Sequence, residues 1–180
     1  MMETLTKYRI YPIEWDSNFE IEIKALYQMF RDQQSRIFSL DVFDNYDSIF
    51  DIIKDTLDND RVFIIASDDG EIMASFILED AVIFKDLITE VKIHCAIRRK
   101  YWGPPSRDIC KAMREYLDTK FKIKKIIAEV PQCKYGVIKL LKDMGLKHEG
   151  TLKECLIYPD KTGTPKWYDK LIYTLTREDL

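Results

Sequence analysis

Between Val91 and Gly150 the hydrophobic period switches from about two to about 3.6, back to two, and again to 3.6. This pattern dictates a strand, a helix, a strand and a helix in succession. Val91, Ile93, Cys95 and Ile97 alternate with polar positions, and Arg98 to Pro105 then carries cationic residues, one Gly and two Pro. From Ser106 onward Ile109, Met113, Tyr116, Leu117 and Phe121 fall on one helical face. Lys124 to Val130 reads as a strand ended by Pro131. Tyr135 to Met144 reads as a short helix with Val137, Ile138, Leu140, Leu141 and Met144 inward, stopped at Gly145. A strand that feeds a helix through a Gly turn aims main-chain N–H groups, at the positive end of the helix dipole, toward any anion placed there. That is a physical recipe for holding a phosphate, and little else in the chain suggests chemistry.

The flanking segments complete a layered domain. Tyr8 to Ile13 predicts a strand and Phe19 to Phe30 a helix with Ile23, Leu26, Met29 and Phe30 on its apolar stripe. Asp44, with Asp47 three residues on, predicts the start of a second amphipathic helix with Tyr46, Ile49, Phe50, Ile53 and Leu57 inward. Arg61–Ser67 and Glu71–Leu78 predict a hairpin through Asp68-Asp69-Gly70, with Leu87–Ile97 as the next strand. Leu146–Leu156 and Trp167–Thr176 predict a closing antiparallel pair around a loop holding Pro159, Gly163 and Pro165. The order is β α α β β β α β α β β, a mixed α/β sheet in a single domain over residues 1–180. Within it we separate an acidic helical part (1–60), a core (61–145) and a C-terminal strand pair (146–180).

Composition narrows the classes. An apolar fraction of 46% with 12% aromatics excludes a disordered chain. No apolar run approaches the ~18 residues of a membrane helix, and the first residues lack a signal-peptide core, so a cytoplasmic protein with no membrane partner is expected. Four cysteines at 95, 110, 133 and 155 without a CxxC pair, and two histidines apart from them, argue against a metal site. Cys95 and Cys110 fall on apolar faces and are expected to be buried free thiols. The net charge of −3 conceals a division: residues 1–90 carry 20 acids against 8 bases, and residues 91–180 carry 11 against 20. The basic half includes Arg98, Arg99, Lys100, Arg107, Lys111 and Arg114, beside the phosphate-holding turn. Nucleic acid is the rival polyanion, although the acidic first half would repel it unless it faced away.

The order of elements, the run KKIIAEVPQCKYGVIKLLKDMGLKHEGTLKE from Lys124 and the ending YDKLIYTLTRED from Tyr168 resemble the GCN5-related N-acetyltransferases. The likeness is nearest the branch that acetylates ribosomal-protein N-termini. It is carried by Val137-Ile138, by Gly145 to Gly150 with Glu149 before the second Gly, and by Asp169 through Tyr173 to Leu175. It covers roughly residues 60–178, and it implies a divergent member of the kind found in phage or mobile-element genomes. It also implies a mainly antiparallel sheet of about six or seven strands, splayed at the centre and flanked by about four helices. Acetyl-CoA is the implied cosubstrate and an amine, a protein among the options, the acceptor; a homodimer is a further expectation. The resemblance puts Cys95 and Ile97 on the pantetheine arm and Trp102, Gly103, Ser106 and Arg107 on or beside the phosphates. Lys134 stands where the family has an Asn before the second helix.

The turn departs from the family pattern at Trp102-Gly103-Pro104-Pro105, where each Pro deletes an N–H donor. Pro105 suits the first residue of a helix, and Arg98, Lys100 or Arg107 could offset the phosphate contact removed by Pro104. The family's general-acid Tyr falls near Leu140 or Leu141. Glu90 and His94 lie on the polar face of the strand and are candidate proton relays, or simply solvent-facing side chains; Glu129 has the same standing. Trp102 stacks on adenine, walls the pantetheine channel or packs beneath the turn. Tyr158, Trp167 and Tyr168 line an acceptor pocket or pack the hairpin. Asp47, Asp51, Asp55 and Asp58 attract a cationic amine or form a solvated face. Three functions remain open: an N-acetyltransferase acting by direct attack, a catalytically silent member used as a binding or inhibitor protein, and a nucleic-acid-contacting member.

Overall fold

The computed structural model describes residues 7–13, 22–24, 26–27, 61–84, 87–160 and 162–177. Seven strands form one sheet: β1 (Tyr8–Pro12), β2 (Arg61–Ser67), β3 (Ile72–Phe84), β4 (Leu87–Ile97), β5 (Lys125–Pro131), β6 (Lys147–Pro159) and β7 (Pro165–Thr176). Their spatial order is β1-β2-β3-β4-β5-β7-β6. Every pairing is antiparallel except that of β4 with β5. Helices α1 (Pro104–Phe121) and α2 (Tyr135–Asp143) follow β4 and β5, and residues 22–24 and 26–27 are helical. This is the mixed α/β sheet that the sequence predicts. The expected helix over 44–57, with Asp47, Asp51, Asp55 and Asp58, lies outside the described residues.

Two apolar layers sandwich the sheet. On one face Ile109, Cys110, Ala112, Met113 and Leu117 of α1 pack on Phe63, Ile65, Phe76, Leu78, Val91 and Ile93. Phe63 and Phe76 stack with centroids 4.7 Å apart, and Tyr116 and Phe121 meet Phe63 edge-on. On the other face Ile23 and Leu26 cover Val62, Ile64, Ala66 and Ala96. Covering on both faces explains why β2 is apolar without alternation: Val62 to Ala66 are all buried.

Three boundaries differ from the sequence expectation for local reasons. α1 begins at Pro104, two residues early, because both prolines take first-turn positions whose N–H groups a helix does not use. β3 runs on to Phe84 past a register shift between Glu79 and Val82, where Asp80 takes φ 51°. β6 reaches Pro159 across a shift between Leu152 and Leu156, with Glu154 at φ 42°. Asp169 of β7 pins that second irregularity: its carboxylate accepts the Glu154 N–H at 3.0 Å and the Lys153 ammonium at 2.8 Å. Those bonds, Lys153 first, hold the Asp169 carboxyl below its ordinary pKa.

Candidate active site

β4 and β5 part company early. Their parallel pairing comprises Val91 with Ile126 and Lys92 with Ile127, yet β4 continues to Ile97 and β5 to Pro131. The phase of the neighbouring ladders says what lines the gap. The Arg98 N–H donates to Met73 O across β3, and the register from Ala74–Ile97 to Glu79–Lys92 is unbroken. In an antiparallel ladder alternate residues bond to the same neighbour, so Ile93, Cys95 and Ile97 turn their N–H and C=O away from β3, toward β5. The Gln132 N–H donates to Asp169 O in the same way, so Glu129 turns its main chain toward β4. Two strand edges therefore face each other across a wedge.

Cys95 reports the same opening. Val91, Ile93 and Ile97 on that face are buried, whereas Cys95 between them is exposed. The expectation of a buried Cys95 is thus corrected, because the divergence of β5 uncovers it; Cys110 on α1 is buried as expected. The two thiols share a hydrogen bond, and that bond, with desolvation by the surrounding protein, pushes the Cys95 thiol well above its ordinary pKa.

At the mouth of the wedge stand Trp102, Gly103 and Ser106. A turn of 3₁₀ helix, Arg99–Tyr101, leads to Gly103, which caps α1 at φ 89°, ψ −138°, a conformation open to glycine. Over Trp102–Arg107 the main-chain donors are sparse. The Trp102 N–H donates to Arg99 O at 3.2 Å and the Ser106 N–H to Gly103 O at 3.1 Å, with the Ser106 hydroxyl on the same oxygen at 2.7 Å. Pro104 and Pro105 have no N–H, and Arg107 lies within the helix ladder. Among the described residues Gly103 carries the one N–H of this segment without an acceptor in the chain. A convergent cradle of amides is therefore absent here, because proline and internal bonding remove its members.

The side-chain cations that could replace it are each half of an ion pair. Arg98 lies 3.5 Å from Glu71, Lys100 also pairs with Glu71, and Arg107 meets Asp143 at 2.6 Å. The Lys100 and Tyr101 contacts lower the Glu71 pKa. Exposed pairs of this kind contribute about 0–1 kcal/mol, so a diphosphate could take any of the three cations from its carboxylate.

The opposite face of the wedge is polar. His94 Nε2 lies 2.8 Å from Glu79 Oε2, Lys92 contacts Asp80 at 2.6 Å, and Lys170 contacts Glu129 at 2.9 Å. The His94 bond is the leading cause of the depressed Glu79 pKa. Glu79 escaped the sequence reading. It is the diagonal cross-strand neighbour of His94, visible once the β3–β4 register is known.

The structure thus brings Cys95, Ile97, Trp102, Gly103 and Ser106 together on one side of the wedge and puts His94 on the other. Glu90 stands apart: it precedes the paired Val91, about 13 Å along the strand from His94, 3.9 Å from Lys125. Arg107 is turned to α2. Lys134 caps α2, its ammonium 4.3 Å from the Tyr158 ring centroid. Tyr158 and Tyr168 share one face of the β6–β7 hairpin and Trp167 takes the other, so these three do not line one pocket. Leu140 and Leu141 pack against the core. Among the described residues no cluster suited to a metal ion occurs, and no helix is long and apolar enough to cross a membrane.

No family model matches the sequence, and no curated protein does either. Solved structures do match. Spermidine N-acetyltransferase from Vibrio cholerae, in complex with CoA and spermine, superposes with a TM-score of 0.74 over 96% of this chain and 97% of that one, at 13% identity. Ribosomal-protein-S5-alanine acetyltransferase from Vibrio fischeri gives 0.68 over 97% and 95%, also at 13% identity. An N-acetyltransferase from Staphylococcus aureus gives 0.63 over 95% and 99%, at 14% identity. The chain has the GCN5-related N-acetyltransferase fold. In this chain β4 and β5 separate beyond Lys92, and α1 starts on two prolines.

Proposed function

We propose that the chain transfers an acetyl group from acetyl-CoA to a primary amine by direct attack. The observation that carries this reading is the wedge: beyond Lys92 the edge of β4 has left its ladder with β5, and the two strand edges face each other. An extended pantetheine arm, with its two amides, can add to such an edge as a strand would. A β4 N–H beside the thioester can then donate to the oxyanion as it forms. The amine nitrogen bonds to the carbonyl carbon, the C–S bond breaks, and the sulfur leaves as thiolate, protonated by solvent. The amine proton passes to His94, held by Glu79, directly or through one water. Cys95 stays outside the covalent chemistry, since its raised pKa disfavours the thiolate an acyl-cysteine would need. The acetyl-CoA partner accords with the CoA named in the spermidine acetyltransferase complex, and a primary-amine acceptor with the polyamine and ribosomal-protein names among the neighbours.

A second reading, a silent member acting as a binding protein, is favoured by the depleted donors at α1. The two separate in one experiment. CoA release is followed with a thiol reagent while acetyl-CoA is offered with spermidine, an N-terminal alanine peptide or a lysine peptide. Acetylation of any one, lost in His94→Ala, supports the enzyme; binding of acetyl-CoA without turnover on all three supports the silent reading. No binding at millimolar acetyl-CoA removes both donor-dependent versions.

A further inference from the structure

The Trp102 indole Nε1 donates to the Ile97 carbonyl at 2.8 Å. By the ladder phase that carbonyl belongs to the edge facing β5, and it is the outermost of the three on β4. A chain that enters from the α1 end and adds to this edge meets Ile97 before Cys95 or Ile93. The indole therefore occupies the first main-chain acceptor that an incoming amide would use. Trp102 is 45% exposed and adjoins Gly103, whose surroundings are open where a Cβ would stand, so the ring has space to move into. Its own N–H bond to Arg99 O, at 3.2 Å, is at the long end of the range.

We propose that Trp102 is a gate on the donor channel, its indole standing in for the pantetheine amide at Ile97 and swinging out when the acyl donor binds. This rests on the donor-binding reading above and deepens it. Donor binding must exchange one hydrogen bond at Ile97 for another, so this contact contributes little net affinity. Removing the indole N–H while keeping an aromatic ring should release that affinity.

The test uses Trp102→Phe and the indole N–H resonances of the intact protein. The chain has three tryptophans, and the variant assigns the Trp102 signal by deleting it. In the wild type, saturating CoA should move that signal and speed its exchange with solvent. In Trp102→Phe, CoA should bind roughly three- to tenfold more tightly, the worth of one net hydrogen bond. If CoA binds both proteins while the wild-type signal stays put and the variant binds no better, the indole is a fixed wall or an adenine platform. The gate is then refuted and the donor site stands. If neither protein binds CoA at millimolar concentration, the donor site falls and the gate with it. Should Trp102→Phe fail to fold, Trp15→Phe and Trp167→Phe assign the Trp102 signal by elimination, and its response to CoA decides.

Discussion

Restoring the two missing donors at the start of α1 should raise affinity for acetyl-CoA, and the size of the gain follows from the structure. Pro104 and Pro105 occupy the first two positions of the helix, so Pro104→Ala with Pro105→Ala would keep helical φ and return two N–H groups. Both would point out of the helix end, where the dipole favours an anion. A hydrogen bond to a charged acceptor contributes at least about 1.5 kcal/mol, so two give about 3 kcal/mol, on the order of 100-fold in Kd. Stability should move the other way. Each Pro→Ala frees the unfolded chain by about 0.4–1 kcal/mol, which lowers Tm by a few degrees. Calorimetric titration of both proteins with acetyl-CoA and with acetyl-pantetheine, which lacks the diphosphate, makes the comparison. The gain should appear with acetyl-CoA alone. An acetyl-CoA affinity within about twofold of wild type, in a variant that folds, would refute the placement of a diphosphate at this helix end.

Other substitutions separate roles within the wedge. Cys95→Ala should leave turnover within about threefold of wild type, since the thiol is held protonated and takes no acyl group; a loss beyond about 100-fold, with CoA binding intact, would argue for an acyl-cysteine. His94→Ala should lower kcat on the order of 100-fold and leave the Kd for acetyl-CoA unchanged, because general-base assistance acts on the amine rather than on the donor. Asp169→Asn should destabilise the protein at neutral pH by unpinning the Glu154 bulge. The folded-state pKa of Asp169 lies below its ordinary value of about 3.9, so its contribution is present above that value and lost as pH falls through the depressed one. Urea unfolding of both proteins from pH 7 down to pH 3 should show the gap closing toward the acid end; a gap independent of pH would contradict the ion-pair account.

The elements were legible where local pattern decides them. The strand of Val91–Ile97, the helix carrying Ile109–Phe121 and the Asp-Gly hairpin turn were all readable, because alternation, helical spacing and positive-φ chemistry are properties of neighbours in sequence. The wedge came only from a family likeness, since a divergence of β4 from β5 depends on residues some 35 apart and leaves no local signature. Cys95 shows the consequence: its apolar face was readable, its exposure was not. The pairings at the turn were equally hidden. Arg98 and Lys100 reach Glu71 across nearly 30 residues, and Glu79 finds His94 only through the β3–β4 register.

If acetyl-CoA is the donor as proposed, the two prolines bear on its affinity rather than on the chemistry. A diphosphate lies far from the bond that breaks, and amides that hold it stabilise the bound donor and the transition state alike. Losing such uniform binding raises KM and leaves kcat untouched. On the proposed reading the groups that would act at the reacting atoms are of another kind: the β4 edge that can donate to an oxyanion, and His94 on the acceptor side with Glu79 fixing one ring nitrogen. These are present, whereas the two prolines stand at the helix start, the part that this chemistry would need least. Their presence beside a donor-poor helix start is what an enzyme with a weakened hold on the nucleotide end of its donor would need, and it makes kcat at saturating donor, not affinity, the quantity that decides between the readings.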